Sequence, residues 1–158
     1  MITLRKITLE NRRAIFNLEV SEDQRRFVAS NLSSVASCYV LATNEGHPFP
    51  FAIYSNEQPV GFVMLTYGIT GYELPSIEDD GYCIVRLMID RQYQNQGYGR
   101  EAMKKILEFI RTFPAGPANY CWTSYEANNV VAKKLYESFG FRDNGEIFHN
   151  EPITVLQL

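Results

Sequence analysis

The sequence predicts an α/β domain built on a mixed sheet with helices on both faces. Strand-like runs open the chain, a strand–helix–strand–helix unit fills its middle, and strand-like runs close it. The unit over residues 82–124 has the order and length of a right-handed parallel crossover. No linker, repeat or low-complexity stretch divides the 158 residues, so 1–158 reads as one domain.

Residues 2–8 alternate apolar and polar side chains, the period of a strand. Thr8 or Asn11 can cap the helix that follows, where Ala14, Ile15 and Leu18 share a stripe with Asn11. Residues 19–28 continue as a helical turn or two after a break at Ser21, and 31–39 as a short helix or irregular segment. Turn residues at 43–48 lead into a hairpin of 49–55 and 58–67 across Asn56 and Glu57. The 71–81 loop is acidic, with Glu73, Glu78, Asp79 and Asp80, and reads as solvated. Residues 82–89 are an apolar, β-branched run, the mark of a buried strand. Arg86 is a charge inside that run and calls for a carboxylate partner. Met103, Ile106, Leu107 and Ile110 recur at helical spacing over about 97–113, until Pro114 and Pro117 stop the helix. Residues 118–124 form another buried strand. Asn128 or Asn129 caps a second helix with Val131, Ala132, Leu135 and Phe139 as its stripe, and Gly140 ends it. Residues 141–148 and 152–158 close the chain as strands. Tyr67, Tyr72, Tyr82 and Trp122 read as core aromatics.

Composition narrows the function. An apolar content of 46% and a charged content of 21% belong to an ordinary globular protein. A net charge of −3 argues against nucleic acid as the main partner and suits a cationic substrate. Cys38, Cys83 and Cys121 show no paired spacing; Cys83 and Cys121 lie in apolar runs as buried thiols, which points to a reducing, cytoplasmic setting. With only His47 and His149 as imidazoles, no metal site is expected. Residues 1–6 carry no signal-peptide pattern and no run is long enough to span a membrane, so no membrane partner is expected.

The chemistry is concentrated in residues 90–100, Asp-Arg-Gln-Tyr-Gln-Asn-Gln-Gly-Tyr-Gly-Arg. A strand, a polar loop with two glycines and then a helix leave backbone N–H groups aimed at one place. Gly97 and Gly99 lack a Cβ, and the helix N-terminus favours an anion. Arg91, Arg100, Lys104 and Lys105 add local positive charge. A phosphate or pyrophosphate is the expected ligand. Residues 97–102 also fit the Gly-x-Gly-x-x-Gly/Ala fingerprint of dinucleotide-binding oxidoreductases. Two facts count against that rival. The seven residues 90–96 separate the strand from the first glycine, and no second nucleotide-binding half follows Glu126.

Gln94, Asn95, Gln96, Gly97, Tyr98 and Gly99 match Gln/Arg-x-x-Gly-x-Gly/Ala, a signature of the GNAT N-acetyltransferases. Residues 129–141, from Asn129 through Ala132, Leu135, Tyr136 and Gly140 to Phe141, match a second, Asn-x-x-Ala-x-x-Leu-Tyr-x-x-x-Gly-Phe. The chain therefore resembles that family through its second half. The run from Glu19 to Asn31, with Gln24, Phe27 and Val28, resembles the polyamine-acetylating branch.

The resemblance implies a mostly antiparallel sheet of six to seven strands whose central parallel pair splays apart. It implies acetyl-CoA as cosubstrate and no metal. The loop from Gln94 to Arg100 would hold the pyrophosphate. Backbone groups of Leu87, Met88 and Ile89 would pair with the pantetheine amides, and an N–H near Met88 would polarise the thioester carbonyl. Asn129 would contact the pantetheine or merely cap its helix. Tyr136 would protonate the leaving thiolate as general acid, unless it is a plain core tyrosine. The acceptor is a small primary amine, with spermidine or spermine first, attacking directly in a ternary complex. Its ammonium, with a pKa of about 10.4, must first lose a proton. Glu19 is the first candidate base, then Glu22 and Glu73. One polyamine branch carries a Glu on the central strand where this chain has Val85. Cys121 is no nucleophile, having no histidine placed to activate it. The family often dimerises through its C-terminal strands, so a homodimer is expected. A non-catalytic acyl-CoA sensor on the same scaffold is the second alternative.

Overall fold

Seven strands line up in one sheet in this computed structural model, which describes residues 1–70 and 73–158. Gly71 and Tyr72, together with the side chain of Asp80, lie outside the described residues. The strands are β1 (Ile2–Lys6), β2 (His47–Ser55), β3 (Gln58–Tyr67), β4 (Gly81–Ile89), β5 (Tyr120–Ser124), β6 (Arg142–Phe148) and β7 (Glu151–Gln157). The helices are α1 (Arg12–Phe16), α2 (Asn31–Ala42), α3 (Tyr98–Ile110) and α4 (Val130–Ser138). Strand order is β1-β2-β3-β4-β5-β7-β6, and every neighbouring pair is antiparallel except β4 with β5. The expected mixed, mostly antiparallel sheet is present.

The local signals act as their chemistry dictates. Thr8 and Asn11 exchange hydrogen bonds: the Thr8 N–H donates to Asn11 Oδ1 at 2.7 Å, and the Asn11 N–H to Thr8 Oγ1 at 3.2 Å. Ser21 is extended, as the expected break requires, and only a three-residue 3-10 turn, Glu22–Gln24, follows it. The ambiguous 31–39 stretch becomes the greater part of α2, whose start is fixed by Ser30 accepting the Ser33 N–H as its cap. Asn129 caps α4 by accepting the Ala132 N–H at 3.1 Å. The α4 stripe differs from the expected one. Val131, in the first turn, is 71% exposed, and Tyr136 takes a buried place beside Ala132 and Leu135. His149 and Asn150, both at positive φ, form the two-residue turn between β6 and β7.

Each face of the sheet carries its own core. Ile84, Met103, Ile106 and Ile110 lie with Tyr136 and Phe141 in the cluster that α3 and α4 cover. Ile15, Cys38, Phe62 and Met88 belong to the cluster under α1 and α2. A fully buried aliphatic side chain such as Ile106 contributes about 1.5–3 kcal/mol. All three cysteines are buried and unpaired. Tyr82 and Trp122 are buried as expected, and Tyr67 is partly so, stacked on Tyr82 with ring centroids 4.5 Å apart. Among the described residues no helix is long and apolar enough to cross a membrane.

One feature of the sheet creates the site. β4 and β5 pair only through Gly81–Cys83 with Tyr120–Trp122. Beyond Cys83 the two strands part, β5 keeping β7 as partner through Ser124 and Ile153. The Thr123 hydroxyl donates to the Ile84 carbonyl at 2.8 Å, across the apex of the split. From Ile84 to Ile89, β4 therefore presents an edge to an open cleft.

Candidate active site

The cleft has a volume of about 320 Å³. Its floor is the open β4 edge, and Leu87, Met88 and Ile89 all line it. One end is the glycine loop, through Gln94, Asn95, Gly97, Tyr98 and Gly99; one side is α4, through Asn129 and Tyr136. Ten of the residues singled out in the sequence thus converge on one space. Glu19, Gln96 and Arg100 do not line it.

The loop is braced from behind. Asp90, buried at the end of β4, accepts the Glu19 N–H on Oδ2 at 2.8 Å and the Gln92 N–H on Oδ1 at 2.9 Å. The Arg91 N–H donates to the Glu19 carbonyl at 2.8 Å. Gln94 Nε2 donates to Gln24 Oε1 at 2.7 Å and to the Ile89 carbonyl at 3.0 Å. Asn95 and Gly97 take positive φ, 61° and 81°, to turn the chain into α3. Among the described residues, the amides of 94–100 donate no hydrogen bond to the protein. An unpaired set of N–H groups at a helix N-terminus is an anion site by its dipole and its donors.

The two glycines divide the work. Gly97 is required by its φ, and a Cβ there would meet nothing within 4 Å. Gly99 has no such φ, and its Cβ would touch only Ile89 Cγ1 at 3.8 Å, an ordinary contact. The fold itself therefore places no steric demand for a glycine at 99. The expected cationic help is weaker than the sequence suggests. Lys104 and Lys105 pair with Glu101 and Glu108, and Arg100 donates to Ser138 Oγ at 3.0 Å and lies over the Phe139 ring.

Tyr136 is 6% exposed, stacked on Tyr125 with centroids 5.6 Å apart and edge-on to Phe141. Burial holds its phenol well above the ordinary range, with Thr123 opposing the shift. It therefore stays protonated at neutral pH, which a proton donor needs. Glu19 and Glu22 both pair with Arg25, at 3.3 and 3.1 Å, on the exposed side of the 3-10 turn.

A second cavity, of about 820 Å³, adjoins the first through Phe27, Ile84, Val85, Arg86, Ser124 and Tyr125. Glu78 and Glu151 line it. No described carboxylate pairs with Arg86 as the sequence led us to expect. Among the described residues it makes no ion pair, its Nη1 donates to the Val85 carbonyl at 2.7 Å, and its buried Nε has no partner. The nearby acids are engaged elsewhere: Glu78 by Trp122 and Ile69, Glu151 by Ser124. Neither Asp90 as a brace nor Glu78 as a cavity wall stands out in the sequence. Asp90 is one polar residue at a strand end, and Glu78 one acid among several in a loop.

Residues 12–141 match the acetyltransferase (GNAT) family. The chain belongs to that family. A relative described as a spermine/spermidine N(1)-acetyltransferase, from Bacillus subtilis (strain 168), is 29% identical over 99% of both chains. Among solved structures, an aminoglycoside acetyltransferase in complex with coenzyme A superposes with a TM-score of 0.76 at 19% identity, over 99% of this chain and 95% of that one. A Vibrio cholerae spermidine N-acetyltransferase in complex with coenzyme A and spermine gives a TM-score of 0.69 at 16% identity, over 99% and 94%. At these identities the structural likeness speaks to the fold. What this acetyltransferase shares with them is the overall chain fold.

Proposed function

We propose that this acetyltransferase moves an acetyl group from acetyl-CoA to a small primary amine, with spermidine and spermine as its leading acceptors. The observation that carries the reading is the row of unbonded amides at 94–100, opening onto a cleft that runs along the unpaired β4 edge to buried Tyr136. The loop holds the pyrophosphate, Asn129 borders the pantetheine, and the backbone of Leu87, Met88 and Ile89 pairs with its amides. The neutral amine attacks the acetyl carbon, an N–H near Met88 stabilises the developing oxyanion, and Tyr136 gives its proton to the departing sulfur. The polyamine choice is supported by the relative's description and by the carboxylates Glu78 and Glu151 in the adjoining cavity, which suit a cation.

The test is release of free thiol from acetyl-CoA across polyamines, aminoglycosides, amino acids and peptide N-termini. Spermidine or spermine should give the highest kcat/KM. Preference for another class replaces the acceptor. Acetyl-CoA binding with no thiol release from any amine points instead to an acyl-CoA sensor.

A further inference from the structure

We propose that Glu78 is the general base that takes the proton from the acceptor ammonium, directly or through one water, in the cavity that adjoins the thioester cleft. This rests on the acetyl-transfer reading above. Among the described residues, Glu78 and Glu151 are the carboxylates lining the two joined cavities. Glu78 is the more deeply placed, at 4% exposure. Its Oε2 accepts the Trp122 Nε1–H at 3.0 Å and its Oε1 the Ile69 N–H at 3.3 Å. A carboxylate offers about four acceptor directions, so two remain for an ammonium or a water. Trp122 anchors the carboxylate beside Cys83, the last β4 residue before the split. Glu19 and Glu22 line neither cavity.

The electrostatics agree with that geometry. Burial raises the Glu78 carboxyl to about 7, and neighbouring Asp79 adds to the rise; the bonds from Ile69 and Trp122 oppose it. The other titratable groups lining the cavity are Cys83 and Arg86 on β4, Tyr125 just after β5, His149 in the β6–β7 turn and Glu151 at the start of β7. A base near neutrality is matched to proton transfer at the working pH. The step balances. The ammonium gives one proton to Glu78, and the neutral amine forms the C–N bond as the C–S bond breaks. Tyr136 protonates the sulfur, and the second proton of the new amide nitrogen restores Tyr136. Glu78 then releases its proton to solvent.

Two measurements test the assignment. The first is kcat against pH for the parent, Glu78→Gln and Glu78→Asp. The parent should show an acid limb at or below pH ~7, and Glu78→Gln should fall about 100-fold at neutral pH. The rate of that variant should keep climbing toward the amine's own pKa of about 10, because the substrate then deprotonates itself. Glu78→Asp should keep an acid limb. The second uses the chain's one tryptophan. Trp122 emission should titrate near pH 7 in the parent, and the transition should vanish in Glu78→Gln; a transition that persists does not arise from Glu78 and overturns the assignment. So does a parent-like limb in Glu78→Gln, or a limb lost in Glu19→Gln instead. A parent that releases thiol with no amine overturns the acetyl-transfer reading and this assignment together. The emission titration would then still report whether Glu78 ionises at neutral pH.

Discussion

Tyr136 shows how one side chain can serve packing and chemistry together. Its ring is wedged between Tyr125 and Phe141 while the residue lines the cleft. Tyr136→Phe keeps the ring and removes only the proton. Steady-state kinetics should show kcat lowered about 10- to 100-fold, with acetyl-CoA affinity nearly unchanged. Full activity in that variant removes Tyr136 from the mechanism. The motif named Tyr136, but periodicity alone could not tell a core residue from a site residue. A helix wheel says which residues share a face, and here that face is at once the core and the wall of the cleft. Glu78 was invisible for a related reason. Its carboxylate accepts a hydrogen bond from Trp122, 44 positions away, and nothing in its own loop announces that contact.

At the scale of the element, the β4–loop–α3 unit was legible almost complete. Its apolar strand, its two glycines and the stripe on α3 are local patterns, and local patterns survive folding. Gly99 gives a two-signed prediction. Gly99→Ala removes a poor helix former from the first turn of α3, so thermal stability should rise by about 0.5–1 kcal/mol. The added methyl intrudes where the diphosphate is proposed to lie, so KM for acetyl-CoA should rise as well. A stabilised variant with unchanged KM would reject the proposed close approach. The brace behind the loop was not legible. Asp90 reaches Glu19 across 71 positions, a pairing set by where β3 and β4 hold the N-terminal segment. Asp90→Ala strands two backbone N–H groups, Glu19 and Gln92, and should cost about 1–3 kcal/mol in denaturant melts.

The whole molecule decides the pH dependence of stability. Glu78 rises from 4.5 in the open chain to about 7 in the fold. The folded state thus holds a proton that the unfolded state gives up. Stability from this group is fully present below pH 4.5 and is lost as pH climbs through about 7. Relative to Glu78→Gln, the parent should lose on the order of 1–3 kcal/mol between pH 5 and pH 8. Parallel melting curves for the two proteins across that range would mean the carboxyl is not buried as described.

Most strand and helix identities, the glycine loop before α3 and the family were determined by the sequence itself, since each depends on neighbours a few residues apart. The tertiary structure alone decided which distant groups meet. Among the described residues it left Arg86 without a carboxylate, and it turned Glu19 toward Arg25 and joined two cavities at the point where β4 and β5 part. The physical reason is that β-strand order and the depth of a side chain are set by the packing of the entire sheet. No spacing along the chain encodes them.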